Sequence, residues 1–435
     1  MDNNLDTTLG FYTPSFLRMH VRTNKSLKDL AALNDDFSES IYLHEFCHFV
    51  QDITTNYGLM NICRVVEYMK FVNEHILKLP KGDFNVPVCP IPNIDDKEYI
   101  GSELSKIYNG SGFDNNVTFK NHRKFKHTVK SKKIVVPEEY VVIEYSTSSG
   151  EIKKFIFGGL CILESMSYII QTECYPMCNK SPDLPYLSAE MLVELIYPKF
   201  GKNRLNVLAL CDASLKLFNP GLFFYETLIR IKNCNLTINN PEDIYKIFNE
   251  VEIESLKDTR SFKGIKSLNG TLEVMKSDAI SQILGYFNDS RYLPLKAWLE
   301  NMIKVAVDFR QKNETFPLEI ARNGKISTNP MFVTFLKKIG TPLVTNELGE
   351  TTLYDPRNVE LKPDYSMIWA IQQLYSVLRG KQTHCDLKQL CNSSGISTDE
   401  RCIYEPWSRN LEPDCAFGQM WRHWRLADYK PKKFI

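Results

Sequence analysis

Residues Ser38–Ile53 read SESIYLHEFCHFVQDI, and inside them lies His44-Glu45-Phe46-Cys47-His48. Helical spacing stacks residues four apart, so His44 and His48 point the same way with Cβ atoms about 5–6 Å apart. Two imidazole nitrogens at that separation can reach one Zn²⁺ at roughly 2.0–2.1 Å. The 3.6-residue period gathers Tyr42, Phe46, Phe49, Val50 and Ile53 on one side, and His44, Glu45, His48 and Asp52 on the other. The stretch predicts a helix with a core face and a chemistry face. Glu45 directly follows the first histidine, where it can stand beside a metal without binding it and take a proton from water. Asp36 or Ser38 is expected to cap the helix. Asp52, one turn beyond His48, is expected to orient that imidazole.

Outward from the motif, Thr54–Gly58 reads as a break, and Leu59 to about Leu79 as a second amphipathic helix stopped by Pro80-Lys81-Gly82. Residues 1–36 read as an irregular or short-strand entry. Residues 83–110, with Pro87, Pro90 and Pro92, read as loop. Phe119–Lys133 is basic and is expected to be a solvated face. Val135–Tyr145 and Glu151–Phe157 read as two strands about Ser146–Gly150. Gly158–Gln171 (GGLCILESMSYIIQ) is an apolar helical segment with one charge, Glu164. An unpartnered buried carboxylate costs several kcal/mol, so such a group is usually paired, protonated or metal-bound. Ser167, Tyr168 and Gln171 share its stripe, which suits a cleft lining and a third metal ligand. Glu67 and Glu74 are rivals closer in sequence to His48. They stand among Arg64, Lys70 and Asn73, as exposed helix residues do.

At 435 residues the chain can bury a large core and hold two or three lobes. A hydrophobic content of 43% and a charged content of 24% are ordinary for a globular protein, and a net charge of +1 gives no reason to invoke nucleic acid or an anionic membrane. No basic-then-apolar leader and no window of about 18 uninterrupted apolar residues is present, so neither a secretory signal nor a transmembrane helix is expected. The 12 cysteines are scattered. Reduced thiols and a cytoplasmic location are the expectation.

HEFCHFVQD on an amphipathic helix resembles the active-site helix of the HExxH zinc metallopeptidases, the zincins. The resemblance covers this helix and, less directly, the Glu164 segment. It implies His44 and His48 as zinc ligands and Glu45 as general base. No further histidine follows His48 at the metzincin spacing. The gluzincin pattern, with a glutamate from a separate helix as third ligand, is the better comparison and adds weight to Glu164. The 116 residues from His48 to Glu164 are many for that family, and the inserted loops and hairpin would account for them.

Further along, Cys174-x3-Cys178 has poor spacing for a metal clip. Residues 187–235 read as helices, and Tyr225 is a candidate oxyanion donor. Helices follow to about Gly285 and over Tyr292–Phe309, then a hairpin at Pro342–Tyr354 and a helix at Asp364–Arg379. The tail holds Cys385, Cys391, Cys402 and Cys415 with Trp407, Trp421 and Trp424. Its spacings match no common zinc ribbon, which favours reduced cysteines packed around tryptophans.

The fold class expected is α+β, mainly helical. A zincin-like catalytic region spans 1–300, with an insertion at about 83–157, and a helical region with a Cys/Trp-rich tail spans 301–435. The expected activity is zinc-dependent hydrolysis of peptide bonds, with His44, His48 and Glu164 on Zn²⁺ and Glu45 as base. The expected partners are a protein or peptide substrate and a regulatory protein, without membrane or nucleic acid. Two other readings stay open: a non-catalytic, zinc-stabilised interaction protein, and a zinc hydrolase of a non-peptide amide.

Overall fold

The motif helix is capped by Asp35, not by Asp36 or Ser38 as expected: the Asp35 carboxylate accepts the Ser38 N–H at 2.7 Å. The computed structural model describes residues 9–27, 33, 35–177, 181–250, 267–287, 289–357, 359, 363–382 and 384–433. The first residues of the expected entry segment, Cys178 and part of the helical stretch after Pro241 lie outside them. Strands β1 (Gly10–Thr13) and β2 (Arg18–Val21) form an antiparallel pair ahead of α1 (Asp36–Thr54). Thr55 is extended, ends α1, and caps α2 (Asn56–Leu77) by accepting the Gly58 N–H at 3.0 Å.

Helix α1 is buried on both sides, not on one. Tyr42, Phe46, Phe49, Val50 and Ile53 enter the core as expected, but His44, Glu45, Gln51 and Asp52 are buried as well. Their cover includes α4 (Gly159–Cys174), the helix that carries Glu164.

The stretch 83–110, expected as loop, contains β3 (Gly82–Val86) and α3 (Asp96–Asn109). The three prolines fall between these two elements. The apolar stripe of α3 is narrow, with Ile100 and Ile107 meeting Val129 in a small cluster of their own. That cluster joins α3 to a meander of β4 (Thr118–Lys130), β5 (Val135–Ser146) and β6 (Ile152–Phe157). The expected hairpin is β5–β6, and the basic run adds β4 as an outer strand.

The remaining helices follow the expected order. They are α5 (Ser188–Ile196), α6 (Pro198–Gly201), α7 (Arg204–Ser214), α8 (Pro220–Asn233), α9 (Glu242–Glu250), α10 (Leu268–Leu284), α11 (Leu293–Lys312), α12 (Phe316–Arg322) and α13 (Pro330–Ile339). The hairpin β7 (Leu343–Asn346) and β8 (Thr351–Thr352) comes next, then α14 (Ser366–Leu378), α15 (Lys388–Ser393), α16 (Arg401–Tyr404), α17 (Ala416–His423) and β9 (Tyr429–Lys433). Two parallel pairings join distant parts of the chain, β2 with β7 and β3 with β9. The larger sheet has the order β1-β2-β7-β8, so β1 is an edge among the described residues. One apolar cluster reaches from Tyr12 to Tyr429. The protein is mainly helical α+β, and no described helix is long and apolar enough to cross a membrane.

Candidate metal centre

Where α1 crosses α4, three side chains meet. His44 Nε2 lies 3.2 Å from Glu164 Oε2, His48 Nε2 lies 3.3 Å from the same oxygen, and the two Nε2 atoms are 3.3 Å apart. A tetrahedral ion with bonds of about 2.0–2.1 Å would space its ligands by roughly 3.3 Å. The three atoms match three corners of that figure. Among the described residues, no other group of three or more His, Cys, Asp or Glu side chains brings its ligand atoms within 4.8 Å of one another. The group could hold a metal ion, with Glu164 as the carboxylate.

The imidazoles are held from behind by amides. Gln171 Oε1 is 3.1 Å from His44 Nδ1, and Gln51 Oε1 is 2.9 Å from His48 Nδ1. The amide groups are themselves oriented: Gln51 Nε2 donates to Leu163 O at 3.0 Å, and Gln171 Nε2 to Ser40 Oγ at 3.4 Å. Each Oε1 is thereby turned to its histidine, so each Nδ1–H has an acceptor and each Nε2 is aimed at the centre. Burial opposes a charge on His48, but the Glu164 carboxylate outweighs it and raises the imidazole to about 9. Burial likewise raises Glu164, and the two histidines more than reverse this, holding its carboxyl far below the usual range.

Glu45 stands beside the group without joining it. Burial raises its pKa; His44 and His48 pull it down, Glu164 pushes it up, and the Tyr12 N–H donates to it. Gly10 makes room for this arrangement. A Cβ there would lie 2.9 Å from Glu45 Cγ, from His20 O and from Ile41 Cγ2.

Asp52 does not orient His48. Its Oδ2 accepts from Tyr12 OH at 2.9 Å and from Ser15 N at 2.7 Å, so it ties α1 to β1 instead. Gln51 takes the role expected of Asp52. Burial pushes Asp52 up to about 7, against both hydrogen bonds and the nearby His48.

The rivals and other candidates lie elsewhere. Glu67 pairs with Lys97 at 3.2 Å, and Glu74 is exposed on α2. Tyr225 is 3.0 Å from His122 Nδ1 on the meander, so it is not an oxyanion donor at this group. Cys174 donates to Ile320 O at 3.4 Å and binds no metal group. Most of the basic run is exposed on β4, as expected of a solvated face; Lys124 pairs with both Glu139 and Glu226 at 2.8 Å.

The aromatic neighbour that sequence reasoning missed is Tyr186. Its ring centroid lies 5.6 Å from that of His44, and Tyr168 packs on it at 6.0 Å. Tyr186 belongs to the loop between α4 and α5, where only the Leu184-Pro185 neighbours mark it and no periodicity could single it out. No family model, curated protein or solved structure matches the chain.

Proposed function

We propose that the protein is a zinc-dependent hydrolase of peptide bonds, with His44, His48 and Glu164 holding the ion and Glu45 as general base. The observation that carries this reading is the meeting of two Nε2 atoms and one carboxylate oxygen at mutual distances of 3.2–3.3 Å, with a second carboxylate, Glu45, alongside and outside the group. Imidazole and carboxylate donors suit zinc, and three protein ligands are the number that leaves a catalytic position open. A bound zinc ion would supply Lewis acidity to a water and to a substrate carbonyl in that position.

The chain's own residues supply the rest. Glu45 accepts a proton from the attacking water and returns it to the leaving amine. Its burial raises its pKa toward the range in which a carboxyl can do both. The Tyr12 N–H fixes the carboxylate's orientation, and Gln51 and Gln171 fix the imidazoles.

Edge strand β1 favours a peptide over a small amide. Leu9 O accepts from Arg22 N at 2.8 Å, so Leu9, Phe11 and Thr13 face β2 while Gly10 and Tyr12 turn their main-chain groups outward, toward Glu45. An extended peptide added to this edge would lay its carbonyls past the general base.

Metal analysis and a peptide-library digest with wild type, Glu45→Gln and His48→Ala test the proposal. Glu45→Gln should keep its zinc and lose about 10²–10⁴-fold in rate, the usual worth of a general base. His48→Ala should lose both the ion and the activity. Equal cleavage by Glu45→Gln and wild type would remove Glu45 from the mechanism. A zinc-loaded wild type that cuts no peptide would leave a metal-stabilised binding protein or a hydrolase of a non-peptide amide.

A further inference from the structure

The meander carries a basic strand on its outside. Residues 118–133 hold seven cations and no carboxylate, on a chain whose net charge is +1. β4 is the outer strand in the order β4-β5-β6, and among the described residues no strand pairs with its free side. All the residues from 123 to 128 are exposed, so the strand is open on both faces there.

The free side has main-chain groups to offer. Ser131 N donates to Ile134 O at 2.9 Å, which makes these two the hydrogen-bonded pair that closes the turn. Antiparallel pairs alternate from there. Val129, His127 and Phe125 therefore bond to β5, while Lys130, Thr128, Lys126 and Lys124 turn their N–H and C=O away from it. Pro137, opposite Thr128, agrees with this phase, because a residue without an N–H stands where none is needed. The His122 N–H, next in the outward series, is taken by the Asn121 side chain at 2.8 Å. The open edge thus runs from Lys124 to Lys130.

Most of the cations are not neutralised within the fold. Lys124 and Lys126 share Glu139, and Lys124 also meets Glu226. Lys120, Arg123, Lys130, Lys132 and Lys133 have no carboxylate partner among the described residues. The charges lie on both faces of the strand: Arg123 alternates with Phe125 on one, Lys130 with Lys126 on the other. Phe125 is 42% exposed and stacks on Tyr140 with ring centroids 6.0 Å apart, an apolar patch between the charges. An edge of this kind repels a second edge like itself, so two copies of the chain do not pair here. A nucleic acid draws on cations gathered along one surface to follow its phosphates. Charges on alternate faces suit a ligand whose side chains alternate too, which is an added strand.

We propose that β4 takes an acidic, extended peptide segment of a partner protein as a fourth strand of the meander. Main-chain bonds to the edge between Lys124 and Lys130 hold the segment, and its carboxylates stand beside Arg123, Lys130 and the Lys132-Lys133 turn. This docking edge is separate from β1, which belongs to another sheet. It does not depend on what the metal centre catalyses.

The test follows the fluorescence anisotropy of a labelled peptide, Glu-Glu-Thr-Val-Thr-Glu-Glu, with the full chain carrying Glu45→Gln so that the probe is bound and not cut. The probe should bind, and more weakly as salt rises. Adding Arg123→Glu/Lys130→Glu, at two exposed positions without carboxylate partners, should weaken binding at least about 10-fold, since like charges then face each other. A probe N-methylated at every peptide bond keeps the charge but not the donors, and should lose at least as much. That arm needs no charge-reversed protein, so it decides the matter even if the double variant fails to fold. No binding of the parent probe at millimolar concentration overturns the proposal. So does equal binding of the methylated probe, or equal binding by a folded charge-reversed variant. Displacement by a single-stranded oligonucleotide at lower concentration than by unlabelled peptide overturns it too, in favour of a nucleic-acid surface. Failure here leaves the His44–His48–Glu164 reading untouched, because the edge and the metal centre share no residue.

Discussion

A carboxylate within an apolar helix needs compensating partners, and Glu164 has His44 and His48. Glu164→Gln removes the charge at nearly constant shape and separates two roles. If Glu164 is a ligand, zinc affinity measured by competition with a chelator should fall by more than about 100-fold, beyond the usual cost of losing an outer hydrogen-bond partner. Glu67→Ala, on an exposed ion pair, should leave affinity at the wild-type value. Unchanged affinity in Glu164→Gln would mean that its burial needs another explanation. Asp52 gives a second test at this scale. Its folded pKa of about 7 lies above the usual carboxylate value, so the folded state holds the proton more tightly than the unfolded chain. That contribution is fully present at about pH 4 and is lost as pH rises through 7. Asp52→Asn keeps an acceptor for Tyr12 OH and Ser15 N without the charge. The unfolding free energy of the variant, measured by urea titration, should therefore fall less between pH 5 and 7.5 than that of wild type, by roughly 1–4 kcal/mol. A variant with the same pH dependence as wild type would show that Asp52 ionises freely in the fold. Glu164 was legible because a single charge stands out in GGLCILESMSYIIQ. Gln51 and Gln171 were not assigned as imidazole holders, because an uncharged amide on a helix has no signature until its partner is known.

Two helices crossing side by side set the geometry of the centre, and glycines let them and their neighbours approach. Gly58 begins α2 against the end of α1. A Cβ there would lie 2.4 Å from Asp52 O and 2.5 Å from Gln51 O, both backbone atoms that cannot swing aside. Gly58→Ala should destabilise the fold by about 1–3 kcal/mol, as overpacking does, and loosen the Gln51–His48 contact with it. Chemical denaturation and zinc affinity should decline together; a variant as stable as wild type would mean that α1 and α2 separate easily. At this scale the strongly periodic elements α1, α2, α4 and α14 were readable, as were β5 and β6. Helix α3 was missed because the prolines before it suggested loop and its two buried isoleucines give only a faint period. Strand β4 was missed because all of its residues but Phe119, Phe125 and Val129 are polar or charged. Its place is set by pairing along β5, from Thr118 opposite Ser146 to Lys130 opposite Val135, and not by a core-facing pattern of its own.

Across the whole molecule, the pairings that close the fold are the ones local sequence cannot announce: β2 with β7 and β3 with β9 join segments more than 300 residues apart. Such long-range closure is sustained by the shared core, and one buried polar cluster lies within that core. Asp212 on α7 accepts from Arg310 on α11 at 2.8 Å through both oxygens and from Tyr245 on α9 at 2.6 Å. Asp212 is fully buried and Arg310 only 3% exposed. Desolvating two charges costs nearly as much as their attraction returns, so the pair is a poor source of net stability, whereas either charge alone in that place is expensive. The expected pattern for a double-mutant cycle follows. Arg310→Met keeps much of the apolar contact with Phe316 but strands the Asp212 charge, and should cost about 3–5 kcal/mol. Asp212→Asn added to it removes that charge while leaving an acceptor for Tyr245 OH, and should recover most of the loss. Denaturant midpoints at constant slope measure both steps. A double variant no more stable than Arg310→Met alone would mean that Arg310 holds α7, α9 and α11 together by packing, and that charge balance is not what the cluster contributes.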